Sequence, residues 1–247
     1  EWAEGAVLEP DARLGYAWLD ATRQALTRAP DVATEICSPS ACVVLHAWYL
    51  DVLDEMLDAI VECGTPLRII ITTDLTKVIE VTKCIQRRGI QAEVEGFENR
   101  GRDILPFLHV ANRLLDENVQ LVLKLHTKKS THRDDGNAWR GEMLTALLGP
   151  QRVDAIVNAF STDPLVGLAA PEDHLLPVTE FIGGNADALD YLTVRTGSDA
   201  PDTNSLFASG SMFWARLEAL RPLLDAHLHA SEFESEQGQI DGTLAHA

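Results

Sequence analysis

LRIIITTDLTKVIEVTKCIQRRGIQAEVEGF, residues 67–97, changes its hydrophobic period twice. LRIIITT is a short continuous apolar run, the mark of a buried strand. LTKVIEVTKCIQRR carries apolar residues three and four apart, as one face of a helix does, and IQAEVEGF returns to a strand pattern. The alternation continues in both directions. Upstream, ACVVLHAWY reads as a strand, and Leu50, Leu53, Leu57, Ile60 and Val61 follow it at helical spacing. Downstream, ILPFLHVANRLLDE reads as a helix and VQLVLKLHT as a strand. Strands that alternate with helices require right-handed crossovers and a mainly parallel sheet. The expected fold class is therefore α/β, a parallel central sheet flanked by helices.

Beyond Gly136 the alternation loosens. NAWRGEMLTALLG, QRVDAIVNAFS, ADALDYLTVRTG and RLEALRPLLDAHL read as helices, LVGLAAP as a strand, and SLFASGSMFWA as a strand containing a glycine. RTGSDAPDTNS is the one long loop. At the other end, ARLGYAWLDATRQALTRA has amphipathic helical spacing between acidic, Pro-containing flanks. We expect residues 1–40 to form an N-terminal helical extension and 41–247 the main domain. The chain starts without Met and stops at DGTLAHA, so the expectation is a piece of a longer polypeptide whose other domains are partners.

Composition narrows the function. The 247 residues are 46% hydrophobic, ample for a buried core, and carry a formal net charge of -18. Such an acidic chain lacks the broad cationic face needed for unspecific binding to nucleic acid or anionic lipid. No run approaches the ~20 apolar residues of a membrane span, and EWAEGAVLEP is not a signal peptide. Peripheral association with an inner membrane stays open. Cys37, Cys42, Cys63 and Cys84 have no C-x-x-C spacing, so free thiols in a reducing, cytoplasmic setting are expected.

Against this background residues 99–140 stand out, with eight Lys and Arg against five Asp and Glu, which leaves -21 for the rest of the chain. A local basic island suits a small anionic ligand. In an open parallel sheet ligands bind at the carboxyl ends of the strands, and those ends carry the polar residues: His46, then Thr72, Thr73 and Asp74, then ENRGRD (98–103), then Lys124 to Ser130. Arg100 and Arg102 flank a glycine just before a helix N-terminus, where forked donors and free N–H groups both favour phosphate. Asp103 could equally be an N-cap with two solvated arginines beside it. Lys128 and Lys129 could neutralise a diphosphate, and His126 could hydrogen-bond a phosphate or sugar hydroxyl. FIGGNAD (181–187) and FASGSMFWAR (207–216) put small residues where backbone turns or approaches a ligand; Phe207, Phe213 and Trp214 read either as core or as a sugar platform. ESEQGQIDGT offers Glu234, Glu236 and Asp241 as proton acceptors. G-x-S-x-G, Walker and H-E-x-x-H motifs are missing, as is D-x-D.

ENRGRDILPFL, LVLKLHTKKSTH…GNAWR, FIGGNAD, FASGSMFWAR and QIDGTLAHA together, in this order from about Val43 onward, resemble the rhamnan synthesis protein F family of bacterial polysaccharide biosynthesis. The resemblance implies a GT-A-like nucleotide-sugar fold and a glycosyltransferase, in particular a rhamnosyltransferase using dTDP-rhamnose to extend rhamnan, O-antigen or a similar cell-envelope glycan. By that likeness Asp74 lies near base or ribose, with His46 and Thr73 beside it. Asn99, Arg100, Arg102 and Asp103 form a loop over the nucleotide. LHTKKS stands where such enzymes carry D-x-D, so Lys124, His126, Lys128 and Lys129 face the diphosphate, and a divalent cation, Mg or Mn, has no evident motif. Asp241 is the first candidate for the catalytic base and Glu236 the second, with His126 as a further catalytic candidate. Trp139 and Arg140, Gly184 and Asn185, and Ser209, Gly210 and Ser211 are the candidates for contact with a glycan or lipid-linked glycan acceptor. The alternative is a non-catalytic module that binds glycan or nucleotide sugar.

Overall fold

A computed structural model describes residues 41–127, 136–236 and 242–247. The helix expected within residues 1–40 lies outside the described residues. Strand β1 (Ala41–Ala47) leads into helix α1 (Leu50–Glu62), β2 (Arg68–Asp74) into α2 (Val78–Arg88), and β3 (Glu93–Phe97) into α3 (Ile104–Asp116), followed by β4 (Leu121–His126). Each expected strand and helix of this half forms.

The first four strands pair in the order β3-β2-β1-β4, all parallel. Alternation along each strand sorts the side chains into two cores. Val43, Leu45, Ile69, Ile71, Leu121, Leu123 and Leu125 pack with Leu53, Met56 and Leu57 of α1 and with Val81 and Ile85 of α2. Val44, Ile70 and Val122 point the other way, onto Leu105, Leu108, Ala111 and Leu114 of α3. The crossover helices thus change face between α2 and α3. A right-handed crossover that changes face must also reverse the direction in which the sheet grows. β4 therefore returns to the open side of β1, and the carboxyl ends of β1 and β4 become the point where chain direction switches.

The second half covers this frame. Helices α4 (Gly136–Leu148) and α5 (Arg152–Thr162) add Met143, Leu147, Val153 and Phe160 to the first core. β5 (Leu168–Ala169) and β8 (Phe213–Arg216) extend the sheet, with β8 antiparallel between β4 and β5. A separate antiparallel ribbon pairs β6 (Leu175–Pro177) with β7 (Leu206–Ala208), and α6 (Ala186–Thr196) lies between them in sequence.

Three expectations change here. SLFASGSMFWA is two strands in different sheets, because the chain turns at Gly210 and Ser211, both at positive φ (84° and 55°). LVGLAAP contributes only two residues of strand. RLEALRPLLDAHL breaks into a 3-10 turn (Leu217–Leu220) and a short helix (Arg221–Asp225), since Pro222 is compatible only with the start of a helix. Trp214 is fully buried and donates its indole N–H to the Leu147 carbonyl at 3.0 Å, which makes it core.

α3 is aimed by Gly101, which is buried at φ 63°. A Cβ added there would lie 2.5 Å from Leu105 Cβ and 2.8 Å from the Phe233 ring. Gly101→Ala combines left-handed backbone strain with overpacking and should lower stability by about 2–4 kcal/mol. A shift of the urea midpoint at constant slope would register it; an unchanged midpoint would show that this turn can relax freely.

Candidate functional site

β1 and β4 pair in register, so His46 sits beside His126 and Val44 beside Lys124 at the switch point. Both histidines and Lys124 face the α3 side of the sheet, as does Thr72 of β2. The sheet ends here, and an apolar neighbour is replaced by a polar one on each strand in turn.

The centre of the group is a buried ion pair. Lys124, 2% exposed, donates to the Asp103 carboxylate, to the Ser211 carbonyl at 2.9 Å and to the Ser211 hydroxyl at 2.9 Å. Three acceptors match the three protons of an ammonium. The Phe107 and Phe213 rings approach the same nitrogen to 5.7 and 5.9 Å. Asp103 makes no side-chain cap on α3; its carboxylate turns to Lys124 instead, with His126 Nδ1 at 3.8 Å. Burial alone would raise the Asp103 pKa, but His126, Lys124 and His46 overcome it and hold the carboxyl well below the usual range.

His126 Nε2 lies 2.7 Å from the Gly210 carbonyl. A carbonyl only accepts, so Nε2 carries a proton and Nδ1 is the nitrogen turned toward Asp103. On the other side of Gly210, a Cβ would fall 2.6 Å from the Trp139 ring. Trp139 in turn donates to His174 Nδ1 at 3.2 Å and stands edge-on to that imidazole, and the His174 carbonyl accepts from Ser209 N–H at 2.7 Å. The Ser209–Gly210–Ser211 turn is thus held by three elements at once.

His46 is buried and shares a 3.0 Å hydrogen bond between Nδ1 and Thr72 Oγ1. Burial pushes its pKa down to about 4; the Asp103 charge opposes this, while His126, Lys124 and Lys77 reinforce it. Thr73, expected beside the ligand, projects from the other face, fully buried, and donates to the Ala47 carbonyl at 2.6 Å. Asp74 accepts from the Thr76 hydroxyl at 2.5 Å and from Thr76 N–H at 2.9 Å, capping the turn before α2, and these bonds lower its pKa.

The ENRGRD loop meets the C-terminal segment. Arg100 donates to the Phe233 carbonyl at 2.9 Å, and Arg102 lies 2.7 Å from His246 Nε2 and 3.9 Å from Glu236. Asn99 is exposed. Gly242 N–H donates to Asn185 Oδ1 at 2.7 Å, with Gly184 packed against the same glycine, and Leu244 N–H donates to Glu234 at 3.1 Å. Arg140 goes elsewhere, to Glu55 of α1. Lys128, Lys129 and Asp241 lie outside the described residues.

Five motifs far apart in sequence therefore touch one another around the switch point. The family model of rhamnan synthesis protein F matches residues 22–247. The chain belongs to the rhamnan synthesis protein F family. Its part in the cell accordingly lies in rhamnan synthesis, a branch of polysaccharide biosynthesis. The match starts upstream of Val43, where the recognisable motifs begin. Among the described residues, no helix is long and apolar enough to cross a membrane, and no group of three or more His, Cys, Asp or Glu gathers that could hold a metal ion.

Reading strand by strand singled out most of this group, including Thr127 within Lys124 to Ser130 but without a role of its own, and missed His174. Thr127 Oγ1 accepts from Trp48 N–H at 2.8 Å and Tyr49 N–H at 2.9 Å, satisfying the entry to α1. Nothing in its sequence neighbourhood signals that partner. Thr72 could have been preferred to Thr73, because alternation puts it on the same face as His46 and Lys124.

Two outcomes follow in this rhamnan synthesis protein. Lys124→Met leaves Asp103 buried without its ammonium partner and should cost about 3–5 kcal/mol in urea unfolding, most of it recovered by adding Asp103→Leu; a lone variant as stable as the wild type would show the pair to be dispensable. His46 has a folded pKa of about 4 against an ordinary 6.5, so the unfolded chain binds more protons between those values. The linked stability is full above pH 6.5 and drains as pH falls toward 4, by up to about 1.4 kcal/mol per unit. His46→Asn, which keeps a polar atom near Thr72, should flatten that part of the profile. Identical profiles would assign the titration to other groups.

Proposed function

We propose that this chain is a glycosyltransferase domain that transfers L-rhamnose from dTDP-rhamnose to a hydroxyl of a growing bacterial cell-surface polysaccharide of the rhamnan or O-antigen type. The observation that carries the reading is a chain of contacts from the carboxyl ends of β1 and β4 outward: LKLH meets Asp103 of ENRGRD and the FASGS turn, GNAWR meets that same turn through Trp139, and the C-terminal DGTLAHA joins Arg102 to FIGGN. Ligands of open parallel sheets bind at that switch point. The order β3-β2-β1-β4 with antiparallel β8 beside β4 agrees with the GT-A-like nucleotide-sugar fold that the family resemblance implies.

In this mechanism a carboxylate takes the proton of the acceptor hydroxyl, the freed oxygen attacks the anomeric carbon, and the bond from that carbon to the diphosphate breaks. Charge growing on the departing dTDP is offset by Arg100 and Arg102, and by Lys128 and Lys129, which follow Thr127 in sequence. Lys124 and His126 act one step back. Their donors are engaged by Ser211 and Gly210, so they hold the turn that the substrates meet. Asp241 is the base in this scheme, one residue before the anchored Gly242; Glu236 lies beside Arg102. The described residues offer no donor set for Mg or Mn, and no step here runs through a cation. The reading entails a cytoplasmic location, at most peripheral contact with the inner membrane, a glycan or lipid-linked glycan acceptor, and neighbouring domains of a longer polypeptide.

One observation favours a second reading, a non-catalytic module that binds glycan or nucleotide sugar: the Lys124 and His126 side chains, at the position of the family's expected diphosphate contact, are occupied by protein acceptors. Asp241→Asn should reduce dTDP-rhamnose consumption by about 100-fold or more while leaving dTDP affinity intact. Equal rates would remove Asp241 from the chemistry. Calorimetry that finds affinity for a glycan and none for any nucleoside diphosphate would establish the module in place of the transferase.

A further inference from the structure

Residues 161–211 differ from the rest of the domain in that none of them is buried. They include the β6–β7 ribbon and α6, and they leave large apolar side chains in the open. Two of these are aromatic neighbours. Phe181 is 52% exposed and Phe207 is 37% exposed, and their ring centroids stand 6.2 Å apart at an interplanar angle of 59°.

The pair is tied to the site from both sides. Phe207 lies three residues before Gly210, whose carbonyl accepts a hydrogen bond from His126 Nε2. Phe181 lies three residues before Gly184, which with Asn185 anchors Gly242 next to Asp241. The two rings therefore stand on segments that run, within three residues, into the turns that border the proposed reaction centre. The charge of an occupant is constrained as well. Residues 161–211 contain eight Asp and Glu against a single Arg. A phosphorylated or uronic-acid polymer, or an anionic bilayer, meets repulsion on such a surface. A neutral sugar does not, and carboxylates can accept hydrogen bonds from its hydroxyls. Aromatic faces supply the remaining contact, since they stack on the C–H faces of sugar rings and bury apolar area there.

We infer that Phe181 and Phe207 form the stacking platform for the acceptor, an uncharged oligosaccharide whose residues present an apolar face, as 6-deoxyhexoses do. This rests on the transfer reading above for the word acceptor, although the platform itself is a binding site whether or not transfer occurs. Binding of a neutral deoxyhexose oligosaccharide to the whole chain, followed by calorimetry and by the aromatic resonances of Phe181 and Phe207, tests it. Phe181→Ala and Phe207→Ala should each weaken binding by about tenfold, Phe207→Tyr should restore it, and dTDP affinity should stay at the wild-type value in all three. Unshifted Phe resonances in the wild type, or equal affinity in the alanine variants, would overturn the platform, and the wild-type spectrum decides even if a variant fails to fold. Equal or tighter binding of an acidic oligosaccharide would overturn the charge argument. Loss of binding to phosphatidylglycerol vesicles, or of self-association, in Phe207→Ala with no change in sugar affinity would give the patch to a membrane or to a second copy. Oligosaccharide bound through both rings with no nucleotide affinity would sustain the platform and refute the transferase.

Discussion

The Lys124–Asp103 ion pair is the constraint on which the rest of the site depends. A lysine in the middle of a buried strand is costly unless its charge is matched and its protons are accepted. Here a carboxylate from the start of α3 and two oxygens of Ser211 meet that demand. With Lys124 itself, these partners span three regions of the chain. Satisfying one ammonium therefore fixes how α3 enters the sheet and how the chain crosses from the β6–β7 ribbon to β8. An apolar residue would pack the strand as well, but it would leave the Ser209–Ser211 turn without its inward tether.

Around this pair the backbone is used as much as the side chains. Gly101 and Arg102 are both left-handed before α3, and Gly210 and Ser211 are both left-handed before β8. Such conformations are unfavourable for L-residues and persist when surrounding contacts determine them. Arg102 is held by His246 and Glu236, and Ser211 by Lys124. The two strained turns face each other across the ion pair. A buried neutral His46 and a satisfied His126 complete a compact polar floor whose hydrogen bonds are internal. In the transferase we propose, contact with substrate falls to residues outside this floor.

The architecture is one in which a rigid half and an adaptable half meet. Strands β1 to β4 and their helices form two dense cores, whereas residues 161–211 bury nothing fully. Elements with little buried area open at low free energy. The exposed aromatic pair lies within the sparsely buried part.

Much of this was legible in residues. The strand and helix order from Ala41 to His126 follows from hydrophobic period alone, because a buried strand and an amphipathic helix impose different spacings. The basic island was equally visible as composition. Its use was not: Lys124 reads in sequence as a ligand for an anion, but period-two alternation only says which face it occupies, and only the packing of α3 and the Ser211 turn shows that the anion is Asp103. Thr73 fell on the wrong face for the same reason that Thr72 fell on the right one. The broken strand at Gly210 escaped prediction because Phe207 and Phe213 look alike to a local pattern, while one lies on an exposed ribbon and the other beside a buried charge. Local spacing determined the elements, the parallel class and the list of polar candidates. Tertiary structure decided which candidates pair with each other and which face outward, since burial and the matching of charge are properties of neighbours far apart along the chain.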